Sequence, residues 1–274
     1  MPSWTRSRPA AQPPAPDPRD RPAGSPSAAP PGSRRLATGF FDRFPAFYES
    51  SETSSFAWRL NLRHEAIVSE HAGLFEGARV LDIASHDGRW SMAALEAGAA
   101  HVVGIEARPE LVAAADANLA SYGVDASRYE FVAGDVFEVL ARERPEVDLV
   151  LCLGFLYHTL RHNELFTRIR QTGTRHLLLD TEVHRSDEAV IRLADEHVAR
   201  EGNAVADEFS YADTVLTGRP TLAALDLIAR SQGFAVEGLS DWDGLLRDNP
   251  GADQVRDYRI GRRATLLLAS SLSR

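Results

Sequence analysis

Asp82 and Glu106 are the residues whose placement first suggests chemistry. Each belongs to an apolar run, Val80–Ile83 and His101–Ile105, and Glu106 closes the second. Between the runs lie a tight turn, Ala84–Gly88, and a helical stretch, Arg89–Ala97. Strand, turn, helix and second strand make a βαβ unit, and a carboxylate closing its second strand is placed to accept from ribose hydroxyls. The plainer reading of Asp82 is a turn residue. A third acid, Asp135, follows a run from Tyr129 in a Gly-Asp-Val ending. It reads either as a ligand group or as an N-cap. Farther on, a strand from Val147 runs into Leu153-Gly154-Phe155-Leu156-Tyr157-His158. An imidazole with an ordinary pKa of about 6.5 can take a proton at neutral pH. His158 is therefore either a general base or a structural histidine at a strand end.

Other runs supply the scaffold for these groups. His176–Asp180 reads as a fifth strand, Thr221–Gly233 as a helix with an apolar stripe of Leu222, Leu225 and Ile228, and Phe234–Leu239 and Ala264–Ala269 as two late strands joined by a loop. Such a late pair predicts an antiparallel edge. Phe40–Tyr48 is an aromatic cluster, and Phe56–Leu74 reads as one or two amphipathic helices. Arg59 and Arg63, one helical turn apart, are either a solvated pair or a binder of a carboxylate. The segment Glu182–Arg219 is too long for a simple connection, which makes it the expected wall or lid of an acceptor site. Its His184, Asp187, Glu188, Asp195, Glu196 and His197 match no metal-ligand spacing and read as a charged helix surface. No Ser-His-Asp elbow and no lysine-bearing phosphate loop occurs.

The runs from Val80 to His158 together resemble class I S-adenosylmethionine-dependent methyltransferases. That family places an acid before a loop with glycine at alternate positions. This chain has Asp82 and then Ala84, His86 and Gly88, departing at two of the three. The resemblance implies an α/β, Rossmann-like seven-stranded sheet, mostly parallel with an antiparallel edge strand and helices on both faces. It implies S-adenosylmethionine as cofactor, with no metal. The implied cofactor contacts are Asp82, Ala84, Ser85, His86, Gly88, Glu106, Ala107, Asp135, Val136, Leu153 and Gly154, with Tyr157 and His158 on the catalytic side. The acceptor it implies is a small molecule methylated at oxygen or nitrogen. Two alternatives stay open. The Leu153–His158 ending also resembles bacterial enzymes that modify the wobble uridine of transfer RNA, and a degenerate loop would suit a catalytically silent cofactor-binding protein.

Composition bounds these readings. The chain has 274 residues, 44% hydrophobic and 25% charged, with a formal net charge of -9. All basic residues are arginine, and the acidic balance disfavours a nucleic-acid partner. No apolar run is long enough to span a membrane. The lone Cys152 lies in an expected buried strand and suits a reducing, cytoplasmic setting. Composition leaves the oligomeric state open, a homodimer included. Residues 1–37, rich in Pro, Ala and Arg, are predicted to be a disordered tail. The rest is predicted as one domain: a helical cap (38–78), a cofactor-binding core (79–181), an acceptor-side insertion (182–219) and the end of the sheet (220–274).

Overall fold

A computed structural model describes residues 39–49, 57–200, 202–250 and 255–271; the predicted tail lies outside them. Strand periodicity builds the sheet. β1 (Arg79–Ile83) turns Val80 to one face and Leu81 and Ile83 to the other. β4 (Leu149–Leu153) splits Leu149 and Leu151 from Val150 and Cys152, and β5 (His176–Glu182) splits Leu178 from Leu177 and Leu179. A strand covered on both faces needs apolar residues at successive positions, which explains the unbroken apolar runs.

Two cores result. One takes buried side chains from α2 (Ala57–Ile67), α3 (Arg89–Glu96) and α4 (Pro109–Ser121), together with Phe41, Phe44 and Phe47 of the aromatic cluster; Phe47 lies in the short α1 (Ala46–Glu49). The other takes α5 (Val136–Arg142), α6 (His162–Gln171) and α7 (Leu222–Ser231). Phe56, the first residue of the expected helix, lies outside the described residues, and the helix gives way to a 3-10 stretch over Ser69–Leu74.

The main sheet runs β3 (Tyr129–Ala133), β2 (His101–Glu106), β1, β4, β5, β9 (Arg263–Ser270), β8 (Phe234–Leu239). The first five are parallel. The antiparallel pairing predicted for the edge falls on β9, which runs against both β5 and the edge strand β8. The link between β8 and β9 is more than the expected loop. It holds α8 (Trp242–Asp248) and α9 (Arg256–Arg259), because Trp242, Leu246 and Tyr258 bury themselves against Leu62 and Ala66 of α2.

The expected charged helix within 182–219 is not a helix. β6 (Ile191–His197) and β7 (Thr214–Pro220) form an antiparallel hairpin. The alternation of Ile191 and Leu193 with Arg192 and Ala194 has period two, and the Thr-Val-Leu-Thr run of β7 complements it. Among the described residues, no helix is long and apolar enough to cross a membrane.

Candidate active site

A cavity of about 340 Å³ opens at the carboxyl ends of β1 to β4, where open α/β sheets bind ligands. Its floor is the turn after β1. Ala84, His86 and Gly88 have φ of 54°, 55° and 81°, so all three alternate positions keep the left-handed backbone that glycine favours. The turn is held from every side. Ser85 N donates to Ile105 O (3.0 Å), His86 N to a Glu106 carboxylate oxygen (3.0 Å), and Asn118 Nδ2 to Asp87 O (3.0 Å). Buried Asp87 receives two hydrogen bonds of 2.7 Å from Arg89. Burial opposes its charge, but His86 and Arg89 hold its carboxyl well below the usual range. Gly88 is required twice over, by its φ and because a Cβ there would meet Leu119, Ala115 and Phe131 at 3.0–3.1 Å.

A left-handed alanine costs about 1–2 kcal/mol, and glycine returns about 0.5–1 kcal/mol of that as unfolded-chain entropy. Ala84→Gly is therefore expected to stabilise the fold by about 0.5–1 kcal/mol, read from denaturant midpoints. A destabilised variant would show that the turn stores no strain at Ala84.

Glu106 is buried, and each carboxylate oxygen takes a backbone N–H, one from His86 and one from Arg108, both at 3.0 Å. Asp135 both caps α5, accepting from Phe137 N and Glu138 N, and lines the cavity beside Val136. The strand expected to run through it stops at Ala133. Ala84, His86, Ala107, Leu153, Gly154, Tyr157 and His158 also line the cavity. Asp82, Ser85 and Gly88 do not. Asp82 lies behind the turn, buried, accepting from Ser91 Oγ at 2.7 Å; burial pushes its carboxyl up to about 7. Burial likewise pushes the Cys152 thiol up to about 12, so it carries no thiolate at neutral pH.

Arginines gather at the end of the cavity next to Gly154. Arg63 and Arg263 meet on one oxygen of Asp180 (2.9 and 2.7 Å), and Tyr258 and Thr265 hydroxyls donate to the other (2.7 Å each). Burial alone would raise the Asp180 carboxyl; the Arg263 and Arg63 guanidiniums outweigh it and hold it well below the usual range. Arg59 pairs with Asp257 through two bonds of 2.6 Å, so the predicted Arg59/Arg63 pair is not simply solvated. Arg63 keeps its Nε buried without a hydrogen-bond partner.

The hairpin forms the opposite wall. His158 Nδ1 donates to a Glu196 oxygen at 2.7 Å, and the same oxygen accepts from Ala204 N at 3.0 Å. Burial works against the Glu196 charge, but His158, Ala204 and Arg219 hold its carboxyl below the usual value. With Nδ1 tied down, the lone pair of the neutral ring sits on Nε2. Arg108, beside Glu106, donates to Asn203 O at 2.8 Å and so ties the β2 end to the hairpin tip. Glu196, Arg263 and Asp180 escaped sequence reasoning. Glu196 had a usable signal, the two-residue alternation of β6, whereas Arg263 and Asp180 look like ordinary strand-end charges. Among the described residues, no group of three or more His, Cys, Asp or Glu side chains could hold a metal ion.

The sheet order, with its reversed penultimate strand and an acid ending β2 over a left-handed turn, defines the Rossmann-like fold of class I methyltransferases. Residues 80–173 match the family described as a methyltransferase domain. No curated protein matches the chain in sequence. The fold is similar to an S-adenosylmethionine-dependent methyltransferase from Mesorhizobium loti (15% identity, TM-score 0.54, covering 76% of this chain and 99% of that one). A putative S-adenosylmethionine-dependent methyltransferase from Listeria monocytogenes gives 13% identity and TM-score 0.53 over 76% and 98% of the two chains. DhpI, solved as a complex with SAH, gives 17% identity and TM-score 0.53 over 86% and 98%. Residues 80–173 thus carry a methyltransferase domain on the fold of S-adenosylmethionine-dependent methyltransferases, which supports S-adenosylmethionine as the methyl donor.

Proposed function

We propose that the protein methylates an oxygen or nitrogen of a small-molecule acceptor in the cytoplasm, with His158 as general base. The observation that carries this reading is the 2.7 Å bond from His158 Nδ1 to Glu196, which leaves Nε2 as the basic atom of a ring lining the cavity.

The residues present fit the donor. Glu106 has both oxygens oriented by backbone N–H groups and lone pairs left for two ribose hydroxyls. Arg63 offers a buried, unpartnered Nε to a carboxylate. Asp135 and Val136 suit the polar edge and the face of an adenine ring. Asp82 acts from behind the turn, fixing α3 through Ser91. The donor supplies an electrophilic methyl group. The protein's share is to hold the acceptor in line with it, exclude water with the hairpin and receive one proton. Glu196 is a positioning residue that fixes the tautomer and direction of His158.

Glu106→Ala is expected to weaken S-adenosylmethionine binding by about 1–3 kcal/mol, the range for losing charge-assisted hydrogen bonds. Calorimetric titration checks it, and unchanged affinity would remove the ribose assignment. The acceptor class is tested with methyl-labelled donor and a cell extract separated into small-molecule and RNA fractions. Label in the small-molecule fraction is expected; label confined to RNA would favour the wobble-uridine alternative and overturn this reading.

A further inference from the structure

A second cavity, of about 370 Å³, lies where β5 ends and the hairpin begins. Glu182, His184, Arg185, Arg192, Arg219 and Arg262 line it with Val183, and it shares no lining residue with the cofactor cavity. Four guanidiniums face one carboxylate. That carboxylate, Glu182, is already bonded to Arg219 Nε. Among the described residues, Arg185, Arg192 and Arg262 have no ion pair. Arg192 and Arg219 are also direct register partners across the β6–β7 ladder. Like charges directly opposite one another destabilise a sheet. A chain of net charge -9 does not accumulate such a surplus through a general excess of base. Arg185, Arg192 and Arg262 are exposed, yet all three border the same concavity.

The two cavities are neighbours through Tyr157. Arg219 lies 5.9 Å from the centre of its ring, and Arg263, the residue after Arg262, lies 5.2 Å from it. Tyr157 itself lines the cofactor cavity beside His158. A molecule held by its anionic end in the basic cavity would have its other end on the His158 side of Tyr157.

We propose that this cavity is an anion site that anchors the phosphoryl group of the methyl acceptor, so that the acceptor is a phosphorylated small molecule. The proposal rests on the small-molecule methyltransferase reading above for what the anion belongs to, but not for the site itself. A phosphoryl group brings about two negative charges and three acceptor oxygens, and guanidiniums bind such groups through paired, charge-assisted hydrogen bonds. A carboxylate would neutralise only one charge of the surplus.

The test titrates inorganic phosphate and pyrophosphate calorimetrically into the full chain. Saturable binding is expected, tighter for pyrophosphate. The Arg192→Gln/Arg262→Gln variant should lose at least about tenfold in affinity for both, while Arg192→Lys/Arg262→Lys keeps most of it. S-adenosylmethionine affinity, measured in the same variants, should not move. No saturable anion binding to the wild type, or binding indifferent to the Gln variant, would overturn the site. Anion binding without S-adenosylmethionine binding would sink the methyltransferase reading and with it the acceptor assignment, but not the site. A second arm treats the product labelled from methyl-labelled donor with phosphatase. Loss of its retention on an anion exchanger supports a phosphorylated acceptor; phosphatase-resistant retention, or an RNA stem-loop that pyrophosphate displaces, overturns that assignment.

Discussion

Asp180→Asn is expected to destabilise the protein by about 3–5 kcal/mol, because removing one partner of a buried ion pair leaves uncompensated charge behind. Asp180 is fully buried and accepts four side-chain hydrogen bonds. Arg263 is buried too, so its guanidinium cannot escape to water. Asparagine keeps the volume and two acceptor lone pairs but replaces one oxygen by a donor that faces other donors. For a chain of this size the loss corresponds to a fall in Tm of about 6–20 °C, large beside a typical total stability of about 5–15 kcal/mol. The pH dependence has a definite sign. A carboxyl held below its unfolded value contributes stability that is present above that value, about 3.9, and is lost as pH falls through the folded one. The gap between wild type and Asp180→Asn should therefore be full at neutral pH and shrink under acid conditions. A variant within about 1 kcal/mol of wild type at pH 7 would show that the hub is not a source of stability. The same substitution releases Arg63 and Arg263, so cofactor affinity should fall with it; Thr265→Val, which removes one hydroxyl and no charge partner, should cost far less.

How much of this was legible in the sequence follows from the range of the interactions involved. Apolar runs ending in acids are local signals, and they carried the strand positions and the place of Glu106 at the end of β2. Each acts within its own βα unit, where a strand end fixes which way the next side chain points. The turn after β1 was less transparent. Ala84 and His86 read as departures from a glycine pattern, yet the backbone keeps the left-handed geometry, because hydrogen bonds from three neighbouring elements over-determine it. Asp82 illustrates the opposite limit. Its position in the sequence is that of a cavity acid, but period two turns it to the face of Val80, toward Ser91.

Long-range partners were hidden. Arg263 meets Asp180 across 83 positions of sequence, and only the antiparallel return of β9 beside β5 brings them together. The hairpin misled for a different reason. A charged stretch such as Asp195-Glu196-His197 has no intrinsic preference strong enough to choose strand or helix, and the partner that decides it, β7, lies beyond a long connection. Reading β6 as a helix placed Glu196 in solvent instead of behind His158.

His158→Ala is expected to lower the methyl-transfer rate about 10²–10⁴-fold, the usual contribution of a general base, with little change in S-adenosylmethionine affinity, since the proton moves only in the transition state. The acid limb of the wild-type pH–rate profile should vanish in the variant. Glu196→Gln separates positioning from proton transfer. Glutamine keeps an oxygen to accept from Nδ1, so the ring stays in place and kcat should fall less than in His158→Ala, with the acid limb retained. A rate as low as that of His158→Ala would show that more than positioning rests on Glu196. The outcome also reports on the nucleophile. An acceptor atom that is already anionic needs no base, and then His158→Ala would raise KM and leave the acid limb of kcat unchanged. That result would remove His158 as the base while leaving the hairpin as a binding wall. An acid limb that vanishes in His158→Ala would instead identify a neutral oxygen or nitrogen as the methylated atom, because only a neutral nucleophile has a proton to give.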